Sequence, residues 1–242
     1  MRALALLLMG LALVLTGCET TAEKSAKLEK IALRTSSGAL SGRGLSIARP
    51  SAVVKVVSSA VLHSSEGSAV TITVRNLSGR AIANVPLAIT VRDTKGSSVY
   101  SNSSPGLAHS LVALALIQPH AESTWIDDQI SARGSGGSVA AEAGEGGAVD
   151  SAVPRLTLQG AHIFEEPGTG FGATGIVVNH SPVAQRELVV YATARRGSRV
   201  LAAGRAVVAQ VPGGGSAPFE LFFIGNPKGG QLELSAPPTT LG

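Results

Sequence analysis

Few of the residues able to do chemistry stand at spacings that would let them. Gly170, Phe171, Gly172, Ala173, Thr174 and Gly175 match G-x-G-x-x-G, which in a dinucleotide-binding unit must follow a strand and open a helix. Here the run leads into Ile176, Val177, Val178 and Asn179, a β-branched strand stopped by a turn. No helix N-terminus is on hand for a pyrophosphate, so the expectation is a turn or bulge and no nucleotide. The histidines are His63, His109, His120, His162 and His180. None stands two or four positions from another, as metal ligands on one strand or helix would. His162, near Glu165 and Glu166, is the best of them as a ligand, and no metal is expected. Asp127 and Asp128 are adjacent, so on a strand they point to opposite faces and cannot share a substrate atom. A serine hydrolase signature G-x-S-x-G is absent from the sequence. No catalytic residue is assigned and the chain reads as a non-enzyme.

The one reactive side chain with a defined setting is Cys18, the only cysteine. Met1 and Arg2 are followed by an apolar run over 3–16 and then by Gly17, the layout of a secretory signal peptide. Fourteen apolar residues fall short of the roughly 18–20 that span a bilayer. The run Leu15, Thr16, Gly17, Cys18 resembles a bacterial lipobox. The resemblance implies cleavage before Cys18, a covalent lipid on its sulfur as the only prosthetic group, and attachment to a membrane from the extracytoplasmic side. Two or more acyl chains are enough for stable attachment. Glu19 is not the aspartate that resembles inner-membrane retention in some bacteria, so outer-membrane sorting is allowed.

Charge agrees with a membrane-proximal start. The chain holds 20 Lys and Arg against 16 Asp and Glu, and Arg2 leaves with residues 1–17. Residues 18–50 carry six basic and three acidic side chains, whereas 13 of each follow from residue 51. The excess either meets anionic headgroups or keeps the leader solvated. Nucleic acid is not expected, because aromatics are 3% of the chain and the later basic residues are scattered among acids. With one cysteine the mature chain has no internal disulfide, so burial must supply its stability.

The elements that would position any site are strands. Residues 19–34 contain Leu28, Ile31 and Ala32 at helical spacing and read equally as a short amphipathic helix or a mobile leader. With the Ser- and Gly-rich residues that follow, 18–45 form a flexible tether. From residue 46 short β-branched runs alternate with turn residues, with strands expected at 52–62, 69–76, 84–93, 97–101, 110–117 and 123–131. In Val70, Thr71, Ile72, Thr73, Val74 and Arg75 every second residue is apolar. Residues 133–153, rich in Gly, Ala and Ser, read as a flexible linker. A second module over 154–242 repeats the texture, with strands at 155–164, 173–179, 187–195, 198–210, 217–224 and 231–235. The fold class is therefore all-β, two sandwich modules of 46–132 and 154–242.

The modules look like a duplication. Asn76-Leu77-Ser78 matches Asn179-His180-Ser181, and Val85–Arg92 matches Leu188–Arg195, both 103 positions on. Gly96 and Gly197 follow in turns, and Gln118, Pro119, Trp125 echo Val211, Pro212, Phe219. The outline resembles the FxLYD-like and related Ig-like accessory domains of bacterial lipoproteins. The second copy fits best, through Asn179, Ser181, Gly197, Pro212, Gly213 and Phe219. In the first, His120 stands for the glycine after Pro119 and Trp125 for the aromatic. The resemblance implies binding or assembly in the cell envelope, with a protein partner there. Phe222 and Phe223 are consecutive, so on a strand one faces away from the core, where it either anchors a partner or meets the other sheet's edge. The competing expectation is a sensor or carrier holding a small ligand, sugar or metal between the modules.

Overall fold

The computed structural model describes residues 20–36, 44–130, 137–167 and 170–242. It is all-β apart from a leader helix, α1 (Thr21–Ser36), and a 3-10 turn at His109–Leu111. The first module contains β1 (Val54–Ser64), β2 (Gly67–Asn76), β3 (Ala81–Arg92), β4 (Ser98–Ser101), β5 (Ala113–Ile117), β6 (Glu122–Ile130), β7 (Ser138–Ala143) and β8 (Gly147–Val149). The second contains β9 (Leu156–Glu166), β10 (Gly170–Asn179), β11 (Gln185–Arg196), β12 (Arg199–Val211), β13 (Ser216–Phe222), β14 (Ile224–Gly225) and β15 (Gln231–Ser235).

Each module is a sandwich of two antiparallel sheets. In the first, a β1-β2-β6 sheet faces one centred on β3, with β4 and β5 along one side and β7 and β8 along the other. In the second, β9-β10-β13 faces β14-β12-β11-β15. Alternation along β2 sends Val70, Ile72 and Val74 into the first core, where they meet Val85, Leu87, Ile89 and Trp125. Leu188, Val190, Ala192, Phe219, Leu221 and Phe223 fill the second.

The flexible linker expected over 133–153 is corrected. Its residues 138–143 are β7, paired with Leu87–Arg92 of β3. Ile89 opposes Ala141 in the first module and Ala192 opposes Leu234 in the second, so β7 occupies the place of β15. An Ala- and Gly-rich sequence orders here because β3 supplies a template edge, and small side chains are enough to cover it.

The modules are also not beads on a string. Residues 188–194 of β11 are buried on both faces, as expected of a strand sandwiched between layers. Its alternate residues Val189 and Tyr191, with Ala203 of β12 and Ile224 of β14, join the first module's hydrophobic cluster. The second module's β11–β12 face therefore stacks on the first module's β1-β2-β6 sheet.

The flexible tether expected over 18–45 is corrected for its helical part. Thr20 and Glu23 form a capping box, the Glu23 carboxylate accepting from the Thr20 amide at 2.9 Å and the Thr20 hydroxyl accepting from the Glu23 amide at 3.3 Å. The helix then runs along the molecule, from the β1–β2 turn, where the Ala22 amide donates to the Glu66 carbonyl at 3.2 Å, toward β6 and β12. Its buried stripe is Thr21, Ser25 and Glu29, not the apolar set. Leu28 and Ile31 are 40% and 54% exposed.

Candidate functional site

The densest polar chemistry lies where α1, β6 and β12 meet. Asp128 on β6, Arg205 on β12 and Glu29 on α1 are 0%, 2% and 5% exposed. Strand alternation aims Trp125 and Asp127 into the first module's core and Asp128 the other way. The Arg205 Nε and backbone amide each donate to Asp128 at 3.2 Å, and its Nη2 donates to Glu29. The Ser25 hydroxyl donates to Asp128 at 2.8 Å, the Ser110 hydroxyl to Glu29 at 2.8 Å, and the Gln129 amide to Glu29. Burial works against the Arg205 charge, but Glu29 and then Asp128 outweigh it and hold the guanidinium above its ordinary value. Burial pushes Asp128 up, with Arg205 the main influence pulling it back.

Asp127 points oppositely, as the sequence requires. It accepts from the Tyr100 hydroxyl at 2.7 Å and from the Gln129 amide at 3.0 Å. Burial pushes its carboxyl up to about 6, against the Tyr100 and Gln129 hydrogen bonds. Burial, with the Asp127 charge adding, raises Tyr100 as well. The two aspartates thus serve different partners and share no substrate position.

A second cluster recurs in both modules. Asn76 Nδ2 donates to the Arg80 and Gln118 carbonyls at 2.7 and 3.1 Å, and its Oδ1 accepts from the Ser78 amide and hydroxyl at 2.9 and 2.8 Å. Asn179 repeats this with the Val183 and Pro212 carbonyls at 2.8 and 3.1 Å and with Ser181 at 3.0 and 2.8 Å. Asn84 and Glu187, also 103 apart, share left-handed backbone at φ 51° and 49°. One register is corrected. The His120 amide donates to the Ser78 carbonyl as the Gly214 amide does to Ser181, and the two have φ of 54° and 66°. His120 thus matches Gly214, and Gln118 matches Pro212, one place from the pairing read in the sequence.

A cleft of about 500 Å³ opens at the module junction, lined by Ser58, Thr73, Thr124, Thr193, Arg195 and Glu233 among others. Arg195 Nε meets Glu233 at 3.1 Å along the wall formed by β11 and β15.

The other expected residues separate clearly. Leu15, Thr16, Gly17 and Cys18 lie outside the described residues. Phe222 and Phe223 are 1% and 0% exposed, which corrects the reading of an aromatic open to a partner. Phe223 enters the second core. Phe222 does face the other way, but α1 covers it: Lys24 Nζ sits 3.8 Å from its ring centroid, and Phe164 meets it edge-on at 5.8 Å. The glycine run lies in β10, where a Cβ on Gly172 would come within 2.3 Å of the Phe164 ring and one on Gly175 within 2.8 Å of Phe219. These glycines make room for aromatics. Glu165 and Glu166 pair with Lys228 at 3.0 Å and Lys24 at 2.7 Å, while His162 turns to the Gly160 carbonyl. Among the described residues no group of three His, Cys, Asp or Glu could hold a metal ion.

Sequence reasoning missed Glu29 and Arg205. The capping box Thr20-x-x-Glu23 would have started the helix correctly, and an Arg within the apolar strand Val200–Val211 signals a buried partner. No protein-family model matches the chain, and no curated protein matches it. Among the described residues no helix is long and apolar enough to cross a membrane.

Proposed function

We propose that this chain is an exported bacterial lipoprotein, anchored through lipid on Cys18, whose paired sandwiches bind or scaffold a cell-envelope protein without catalysing a reaction. The observation that carries the reading is the LTGC run, which places the only cysteine directly after an apolar leader and three positions before α1. The fold supports it in kind. Glu29, Ser25, Asp128 and Arg205 fasten α1 to both modules, and recognition is left to surfaces and strand edges. The edge strand β15 offers a side to which an extended partner segment can add. Crosslinking in intact cells, run beside a Cys18→Ala variant, tests this. A specific envelope protein captured by the wild type and lost with the anchor supports it, and catalytic turnover of a captured compound sinks it.

The junction cleft favours a second reading, a small-ligand carrier or sensor. Its hydroxyls and the Arg195–Glu233 pair suit a polar, uncharged ligand. Native mass spectrometry of protein purified from cells would show such a ligand, and Glu233→Ala would reduce its occupancy.

A further inference from the structure

The helix α1 has two chemically distinct faces. At 100° per residue, Thr21, Ser25 and Glu29 fall on one side and are buried against the sandwiches. Lys27, Lys30, Ile31 and Arg34 fall on the other, Leu28 lies on the flank beside Thr21, and all five are exposed. Glu23 also lies toward that side, engaged with Thr20 in the capping box. The outer face is therefore mainly cationic, with Ile31 exposed among the charges, on a helix fixed to the second module by the Glu29–Arg205 pair.

We propose that this outer face is a membrane-contact surface that lies flat on anionic headgroups, so that the protein rests side-on against the bilayer. The proposal rests on lipid anchoring at Cys18 and specifies which surface the anchor brings down. Cys18 is three positions before Thr21, and three residues of chain span at most about 10 Å. An acylated sulfur there holds the first turn of α1 within that distance of the bilayer. Charge complementarity then selects the face: Lys27, Lys30 and Arg34 each add about fivefold to binding at an anionic surface, while Ile31 meets the headgroup boundary. The alternative, an end-on pose, would instead bring the hairpin tips to the bilayer, among them the β3–β4 turn with Lys95. The tips near the helix start mix Glu66, Glu165 and Glu166 with Lys95, Arg199 and Lys228, so they present no face of one sign.

Amine footprinting separates the poses. The lipid-bearing protein is reconstituted into phosphatidylglycerol–phosphatidylethanolamine vesicles, or held in neutral detergent, then treated with an amine-reactive ester and read by mass spectrometry. The expected result is modification of Lys27 and Lys30 at least fivefold slower in vesicles, with Lys95 unchanged, and loss of that protection in phosphatidylcholine vesicles. Unchanged reactivity of Lys27 and Lys30 overturns the proposal, and so does protection of Lys95 in their place. The same spectra report the sulfur. A lipid-bearing Cys18 with reactive Lys27 and Lys30 overturns the contact face alone, whereas an unmodified Cys18 overturns the anchored reading as well.

Discussion

Glu29 and Arg205, 176 positions apart, form a buried ion pair that ties the leader helix to the second module. Arg205 carries the tie on to Asp128 of the first. One guanidinium thus joins three parts of the chain, and the strength of the join follows from how little water reaches it.

Arg205→Met is the sharpest test of that join. It leaves Glu29 and Asp128 buried without their cation, and stranding buried charge typically costs about 3–5 kcal/mol. Urea denaturation should show that loss. Limited proteolysis should show faster cleavage at Lys27 and Lys30 as α1 leaves the body. A variant that also carries Glu29→Leu and Asp128→Leu should recover most of the stability, because no charge is then left unpaired.

The Asp127 carboxyl gives stability a pH dependence. Its folded pKa of about 6 lies above the roughly 3.9 of an unfolded aspartate, so between these values the folded state binds more protons. Stability from this group is therefore fully present below about pH 4, falls as pH rises toward 6, and is flat above. The raised Asp128 acts in the same direction. Thermal melts of the wild type and Asp127→Asn across pH 4–8 should differ with that slope, and parallel curves would refute the assignment.

Asn76→Ala and Asn179→Ala should be equivalent lesions. Each removes two donated and two accepted bonds at a loop crossing, and orphaned buried groups cost about 1–3 kcal/mol apiece. Serine in place of either asparagine restores at most part of the set. If thermal denaturation shows one variant severely destabilised and the other neutral, the two turns are not the same device.

Phe222→Ala should destabilise by about 3–5 kcal/mol, since it empties a large, fully buried site. It should also loosen α1, whose Lys24 sits over the ring. Leu28→Ala, at a 40%-exposed position on the flank of the helix, should change denaturant midpoints little. A reversal of that order would mean that α1 docks through its apolar side.

The strands were legible because their periodicity is local: the alternation in Val70–Arg75 is enough to place β2. The paired asparagine turns were legible because a duplication writes the same local chemistry twice. Three features escaped for physical reasons. The edge strand Ser138–Ala143 uses Val139, Ala141 and Ala143, whose small side chains carry little hydrophobic signal, and its order comes from β3. That one of Phe222 and Phe223 faces away from its own core was legible, but not which, and what covers Phe222 lies nearly 200 positions earlier. The Glu29–Arg205–Asp128 set joins distant segments, and no spacing rule links them. The one-place slip at Pro119 arose because proline and glycine both mark turns, and only the hydrogen bond from His120 to Ser78 fixes which residue takes the left-handed position.

The position of β7 decides where the chain can be divided. Severing it after residue 132, just before the glycine- and serine-rich run, would strip the front half of its closing strand and leave β3 with an open, sticky margin. The same cut would hand the rear half a stray tail that has nothing to zip onto. Halves meant to stand alone should part between Val149 and Leu156, and even then each would expose a broad greasy wall that the intact molecule keeps hidden.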